Sequence, residues 1–438
     1  MEALNLNKYE RALENAQLTR DIGKVTQVTG FLISGYIPEV SIGTVCEIFP
    51  NSGAPSFLAE VVGFRDREVL LMPLGEMRGL GLGSTILVRK HMASLNVGNA
   101  LLGRVVNGMG EAIDSKGDLF LTEEVPLYAE AGNPLDRPPI HEAMSLGVRA
   151  IDGLITLGKG QRVGIMAGSG VGKSVLMGMM ARNSQADVNV IAMVGERGRE
   201  VREFIESTLG EEGLKRSVIV VATSDQSALI RTRAAFVATT IAEFFCGQGK
   251  NVLFIMDSIT RFAMAQREIG LNIGEPPATK GYTPSVFALL PKLLERAGNF
   301  GNGRGSITGL YTVLVEGDDM NDPIGDSVRS IVDGHIVLSR DLAHKGHFPA
   351  VDVLSSTSRV MRNLVSPEHF RQALRLRELM AIYKEAEDLI NIGAYKMGSS
   401  PRIDQAIKCE TSIERLLRQA VEEKATAEDA LNMMMRVE

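Results

Sequence analysis

Between Gln161 and Leu176 the chain reads QRVGIMAGSGVGKSVL. The apolar residues Val163, Ile165 and Met166 have the pattern of a buried strand, and a helical pattern resumes at Lys173. The turn between them carries Gly168, Ser169, Gly170, Val171 and Gly172. Glycines there let successive backbone N–H groups point inward at phosphate oxygens, where a Cβ would obstruct the approach. The helix that follows, with Ser174 and Val175 in its first turn, adds free N–H groups and the positive end of its dipole. Lys173 is spaced to reach the β- and γ-phosphates, and the Ser174 hydroxyl to ligate Mg²⁺. The first glycine of the usual G-x-x-x-x-G-K-[ST] pattern is replaced by Ala167, a small residue that the position tolerates. This stretch predicts a site for a nucleoside triphosphate.

Three further segments carry residue types that triphosphate chemistry uses. NVLFIMD ends in Asp257 after large apolar residues. A carboxylate at the end of a buried strand can hold the water shell of Mg²⁺; Asp257-Ser258 can equally cap the helical pattern that follows. VNVIAMVGERGREV places Glu196 and Arg197 after another apolar run, with Gly195 and Gly198 beside them. A carboxylate there can polarise an attacking water and Arg197 can bind phosphate oxygens, or the pair can belong to a solvated loop of mixed charge. HFPAVDVLSSTSRV contains Arg359, which fits either a structural arginine or a cation given to a transferring phosphoryl group by a neighbouring subunit. Phe348, just before Pro349, suits either core packing or stacking on a base.

These residues need elements to position them, and the chain supplies three kinds. With 438 residues it is too long for one core, and its length predicts about three domains. Residues 1–20 space Leu6, Tyr9, Leu13 and Ala16 as one face of an amphipathic helix, suited to packing at home or to docking a partner. From residue 21 to about 95 the period becomes two, with short β-rich runs between Gly, Pro, Asn and Ser, which predicts a small antiparallel barrel. From about 96 to 362 near-continuous apolar runs alternate with helical patterns, as in an α/β domain built on a mostly parallel sheet. Beyond Pro367 strand signals stop, and amphipathic helices predict a helical C-terminal domain over 363–438.

Composition sets limits on function. Net charge of −6 and a thin set of aromatics in the barrel argue against nucleic-acid binding. Three widely spaced cysteines predict reduced thiols in a cytoplasmic protein. No apolar run approaches the length of a membrane span, so any membrane association is expected to be peripheral.

Long segments also carry a family resemblance. They are AGSGVGKS (167–174), VGERGREVREFIE (194–206), VVATSDQSALIR (220–231) and FIMDSITRFAMAQREIGL (254–271). GEPPATKGYTPSVFALLPKLLERAG (274–298), YTVLVEGDDMNDPIGD (311–326), DGHIVLSR (333–340) and FPAVDVLSSTSR (348–359) extend them. Together they resemble the catalytic subunits of rotary ATPases, and more closely the ATPases of type III export systems, the flagellar branch above all. The resemblance implies a β-barrel, a RecA-like P-loop NTPase core and a helical C-terminal domain, assembled as a homohexamer with ATP sites between subunits. It assigns Lys173 to phosphate, Ser174 and Asp257 to Mg²⁺, Glu196 to water activation, Arg359 to a finger acting in trans and Phe348 to adenine. A second aromatic on the adenine side, expected near Leu416, is absent, so base selectivity is expected to be loose.

The implied role is an ATP-driven motor that readies flagellar proteins for export at the inner face of the cytoplasmic membrane. The implied partners are a regulatory stator-like protein at the N-terminal helix, a central stalk protein, export substrates and their chaperones. Two alternatives stand beside it: the same ATPase in a virulence injectisome, and an RNA-translocating hexamer with a RecA-like motor. Having Glu196 and Arg359 on one chain separates this pattern from rotary synthases, which divide the two between related subunits.

Overall fold

The computed structural model describes residues 21–315 and 322–437; the helix expected over 1–20 lies outside the described residues. The chain divides into two compact units. The first ends at Ser94 and includes Asn272–Gly274; the second covers Leu95–Leu271 and continues from Glu275.

The first unit is a closed barrel of six strands: β1 (Ile22–Thr29), β2 (Leu32–Tyr36), β3 (Val45–Phe49), β4 (Phe57–Arg65), β5 (Glu68–Pro73) and β6 (Thr85–Lys90). Their order is β1-β2-β5-β4-β3-β6, antiparallel throughout, and β6 closes back on β1. The period-two runs explain it. Val25, Ile33, Ile48, Val61, Leu71 and Ile86 all point into one core, and closure removes the unpaired edges that an open sheet would expose.

The second unit opens within β7 (Ser94–Val97), followed by β8 (Val105–Asn107) and β9 (Glu123–Pro126), of which β7 and β9 pair with each other. The large sheet adds β10 (Arg162–Ala167), β11 (Val188–Glu196), β12 (Ser217–Thr223), β13 (Asn251–Asp257), β14 (Gly298–Asn299), β15 (Ser306–Leu314), β16 (Gly334–Leu338) and β17 (Val351–Ser358). Its order is β17-β16-β10-β15-β13-β11-β12-β8, with β14 alongside β15. Strands β16 through β8 are parallel; β14 and β17 run antiparallel to their neighbours. Runs such as Val252–Met256 are buried along their length, as strands covered on both faces must be.

Helices α1 (Arg149–Leu154), α2 (Lys173–Asn183), α3 (Ala228–Gly247), α4 (Ile259–Ile273), α5 (Pro284–Leu294), α6 (Pro323–Ile331) and α7 (Arg340–His344) connect the strands. They are followed by α8 (Pro367–Asn391), α9 (Pro401–Leu417) and α10 (Ala427–Met435). The last three share a core with the sheet: Leu376, Leu379, Ile413, Leu416 and Met434 belong to the cluster that holds Ile151, Val163 and Val353.

One buried charge braces this unit. The Arg296 guanidinium donates to both Glu243 carboxylate oxygens, to Thr240 Oγ1 and to the Leu127 carbonyl, and its side chain is 1% exposed. Replacing it by an apolar residue strands the Glu243 carboxylate, while the Thr240 hydroxyl and the Leu127 carbonyl keep only each other. Arg296→Met is therefore expected to destabilise the protein by about 3–5 kcal/mol, read as a lower urea midpoint of the transition that unfolds this unit.

Candidate active site

β10 ends at Ala167 and α2 starts at Lys173, so the glycine-rich residues form the link between a strand and a helix N-terminus. Gly172 caps α2 at φ +85°, a backbone conformation that residues with a Cβ adopt only under strain. β10, β15, β13 and β11 are parallel neighbours, so Ala167, Leu314, Asp257 and Glu196 end on the same edge of the sheet. That edge gathers residues far apart in sequence. Lys173 Nζ lies 2.5 Å from Asp257 Oδ1 and 3.9 Å from Glu196 Oε1.

Asp257 is 1% exposed. A buried carboxylate needs partners, and it has two: the Lys173 ammonium and the Thr312 hydroxyl, which donates to the same Oδ1 at 2.7 Å. The helix cap, the competing role for Asp257, falls to its neighbour. Ser258 Oγ accepts from the Arg261 N–H at 3.2 Å, which leaves the Asp257 carboxylate facing Lys173. Burial, followed by the Asp257 charge, pushes the Glu196 carboxyl up to about 7 against the opposing pull of Lys173. A carboxyl group poised near neutrality has the proton affinity expected of a general base.

Gly195 explains how Glu196 reaches this edge. It sits at φ +72°, and a Cβ built on it would come within 2.9 Å of Arg261 Cβ. Gly195→Ala is expected to cost about 1–2 kcal/mol from the backbone conformation alone, with further strain from Arg261. Thermal unfolding would show the loss of stability, and hydrolysis should fall with it because the next residue is Glu196.

The other candidate residues divide into near and far. Phe348 is close: its ring carbon Cε1 lies 3.5 Å from where a Cβ on Gly172 would stand, and the residue is 46% exposed rather than packed in the core. Its carbonyl accepts from the Gln419 N–H at 3.0 Å. Ser174 and Val175 are exposed at the start of α2, while Val171 is buried beneath the loop. Arg197 is exposed; its side chain is 81% accessible and pairs with Glu200.

Arg359 lies at the opposite end of the strands. Its N–H donates to the Asp333 carbonyl, and the Asp333 N–H donates to the carbonyl of Arg162, where β10 begins. The five-residue rise from Arg162 to Ala167 separates Arg359 from its own phosphate loop by roughly 17 Å along the strand direction. One Arg359 Nη donates to the Arg329 carbonyl at 3.1 Å. No copy of this chain brings its own Arg359 to its own Lys173.

Residues 147–358 match the ATP synthase alpha/beta family, nucleotide-binding domain, and residues 365–436 match the T3SS EscN ATPase C-terminal domain. The flagellum-specific ATP synthase of Bacillus subtilis is 55% identical over 412 residues, 93% of each chain. The type 3 secretion system ATPase of Xanthomonas euvesicatoria is 49% identical, covering 98% of this chain and 96% of its own. The chain belongs to the type III export branch of the ATP synthase alpha/beta family. Among solved structures, the assembled ATPase EscN from enteropathogenic E. coli superposes with a TM-score of 0.88 at 48% identity, over 95% of this chain and 99% of that one. EscN in complex with its central stalk EscO superposes with a TM-score of 0.87.

Membership makes this an ATP-hydrolysing enzyme, with a β-barrel followed in the sequence by a RecA-like nucleotide core. Two residues of this sheet edge carry no local signal. Thr312 sits inside the apolar run SITGLYTVLV, and only the pairing of β15 with β13 turns its hydroxyl onto Asp257. Arg261 falls within a helical pattern, and its place against Gly195 follows from long-range packing. Its Nε is buried with no hydrogen-bond partner. The glycine preceding Glu196 is the signal that could have drawn attention to it.

Proposed function

We propose that each copy of this chain binds Mg²⁺-ATP on its own phosphate loop and hydrolyses it with Arg359 from an adjacent copy. In this reading Lys173 leaves Asp257 to take the β- and γ-phosphates, and the backbone N–H groups of 168–172 hold the remaining charge. Glu196 orients the attacking water and accepts its proton, Phe348 stacks on the adenine, and Arg261 faces the phosphates from the Glu196 side. Arg197 becomes a phosphate ligand only after its side chain leaves Glu200.

The residues fit the metal. Ser174 and Asp257 are hard oxygen donors on one edge, and among the described residues no cluster of three or more His, Cys, Asp or Glu forms an independent metal cage. Mg²⁺ suits such a place because it keeps waters and takes the rest of its shell from phosphates. When bound, it neutralises charge on the phosphate oxygens.

The observation that carries this reading is the separation of Arg359 from its own phosphate loop. An Arg359 that acts on phosphate must then come from a neighbouring copy, and a closed ring of copies gives every loop such a neighbour; the similar EscN is described as assembled. A monomer can then bind nucleotide but lacks a complete site. Hydrolysis per chain is expected to fall steeply on dilution, in step with mass measured by light scattering. A dilute monomer turning over ATP at the full per-chain rate contradicts the reading.

The work done with ATP is protein export: chaperone release, unfolding or delivery of substrates at the inner face of the cytoplasmic membrane, with a stalk protein in the ring, a role EscO has for EscN. A regulatory stator-like protein would dock on residues 1–20. Among the described residues no helix is long and apolar enough to cross a membrane, in keeping with peripheral attachment. Relatives named for flagella and for type 3 secretion support the flagellar and injectisome versions equally. A deletion strain decides between them: loss of filaments is the flagellar result, and intact filaments with failed effector secretion the other. Single-stranded RNA is expected to leave hydrolysis unchanged.

A further inference from the structure

Away from the phosphate loop, the second unit holds a cavity of about 540 Å³ between α7 and β17 on one side and α8 and α9 on the other. Its floor is apolar, with Val351, Val353, Leu379 and Ile413 all buried. Its wall is acidic, carrying five carboxylates against three lysine and arginine side chains. Two of those cations are already engaged: Lys345 lies 2.9 Å from Glu387 and Arg418 lies 2.6 Å from Glu414. The field that remains is felt at the Tyr383 hydroxyl, whose pKa is raised by burial and then by Glu410 and Glu387, with Lys345 opposing.

His347 supplies a second, independent observation. It lines the same cavity, is only 7% exposed, and its Nε2 is buried with no hydrogen-bond partner. Burial and the nearby Arg418 charge hold the imidazole below its ordinary pKa, so at neutral pH the ring is uncharged. Buried polar atoms in native proteins are nearly always paired, and an orphan facing a cavity indicates a missing partner.

We propose that this cavity is a second ligand site, for a small organic cation: an amine or amidine carried on an aromatic or aliphatic body. The body lies on Leu379 and Ile413 beside the Tyr383 ring, the charged head sits among Glu410 and Glu387, and one N–H satisfies His347 Nε2. The volume is that of sites that enclose small molecules, and an aromatic ring with nearby carboxylates favours a cation twice over. It is a different site from that of the nucleotide. ATP is an anion, and neither the glycine-rich loop nor Phe348 lines this cavity.

The test is calorimetric titration of the full chain with tryptamine, with indole-3-acetate as the anion of matching body. Both titrations are run with saturating Mg²⁺-ADP so that the ring cannot occupy the place of adenine. Tryptamine is expected to bind at least about 10-fold tighter than indole-3-acetate. The double variant Glu410→Gln/Glu387→Gln should weaken tryptamine about 10-fold while leaving basal hydrolysis unchanged. His347→Phe should weaken it about 3-fold or more. Absence of heat up to about 5 mM tryptamine under these conditions overturns the proposal, as does equal binding of the two indoles. Binding of a basic peptide such as Lys-Leu-Leu-Lys without any binding of tryptamine overturns it too, in favour of a protein partner.

Discussion

Arg359→Ala is expected to lower kcat by about 10³-fold or more while leaving nucleotide binding to the isolated chain unchanged. The guanidinium is at the start of β10's level in the sheet, and the phosphate loop is at its end. Its removal therefore touches no contact that a single copy makes to ATP. Phosphoryl transfer spreads charge over the equatorial oxygens, so a cation placed there acts on the transition state more than on the bound substrate. Arg359→Lys is expected to recover only part of the loss, because an ammonium cannot reproduce the planar fork of a guanidinium. Steady-state hydrolysis and equilibrium binding of a fluorescent ATP analogue measure the two quantities separately. A variant that loses binding in proportion to kcat would assign Arg359 to its own site after all.

Glu196→Gln is expected to cost about 10²–10⁴-fold in kcat, again with nucleotide still bound. The amide keeps the size of the carboxylate and can still position a water, but it cannot take the proton. The same change removes one acidic group from beside Asp257, whose charge helps raise the Glu196 pKa. Lys173 then faces one carboxylate fewer, so nucleotide affinity should hold or rise slightly. Rapid-quench measurement of the first turnover separates slow chemistry from slow product release. A normal first turnover followed by a slow steady state would show that Glu196 acts in release and not in bond cleavage.

What could be read from the sequence follows the range of the interaction. The phosphate loop is local: a strand, five loop residues and a helix start determine it, and the glycines at Gly170 and Gly172 occur where φ is positive. The barrel is similarly legible as a set of period-two runs around a shared core, but its strand order, β1-β2-β5-β4-β3-β6, is not, because alternation fixes which face is buried and not which strands pair. Asp257 was ambiguous in sequence for a physical reason. Metal binding and helix capping both favour an Asp at a strand end before a helix, and only the position of the Ser258 hydroxyl decides between them. Thr312 and Arg261 were silent because their partners are brought by strand pairing and packing across long stretches of chain. Arg359 shows the limit most clearly. Its residue type points to phosphate, but its distance from Lys173 depends on β17 running antiparallel at the end of a sheet whose main strands are parallel. No periodicity records that. The helices α8 to α10 read as a separate domain by composition, yet their apolar faces complete the core of the nucleotide unit.

The shared site is tested most directly by mixing two variants that are inactive alone. Lys173→Ala removes the phosphate-binding half and keeps Arg359; Arg359→Ala does the reverse. In rings formed from equal amounts, about a quarter of the interfaces join an intact Lys173 to an intact Arg359. Hydrolysis should reappear to about that extent, and Glu196→Gln should be rescued by Lys173→Ala no better than by itself. If the mixture of Lys173→Ala and Arg359→Ala stays as inactive as its components at every ratio, while light scattering shows mixed rings have formed, then the two residues do not meet across a subunit boundary.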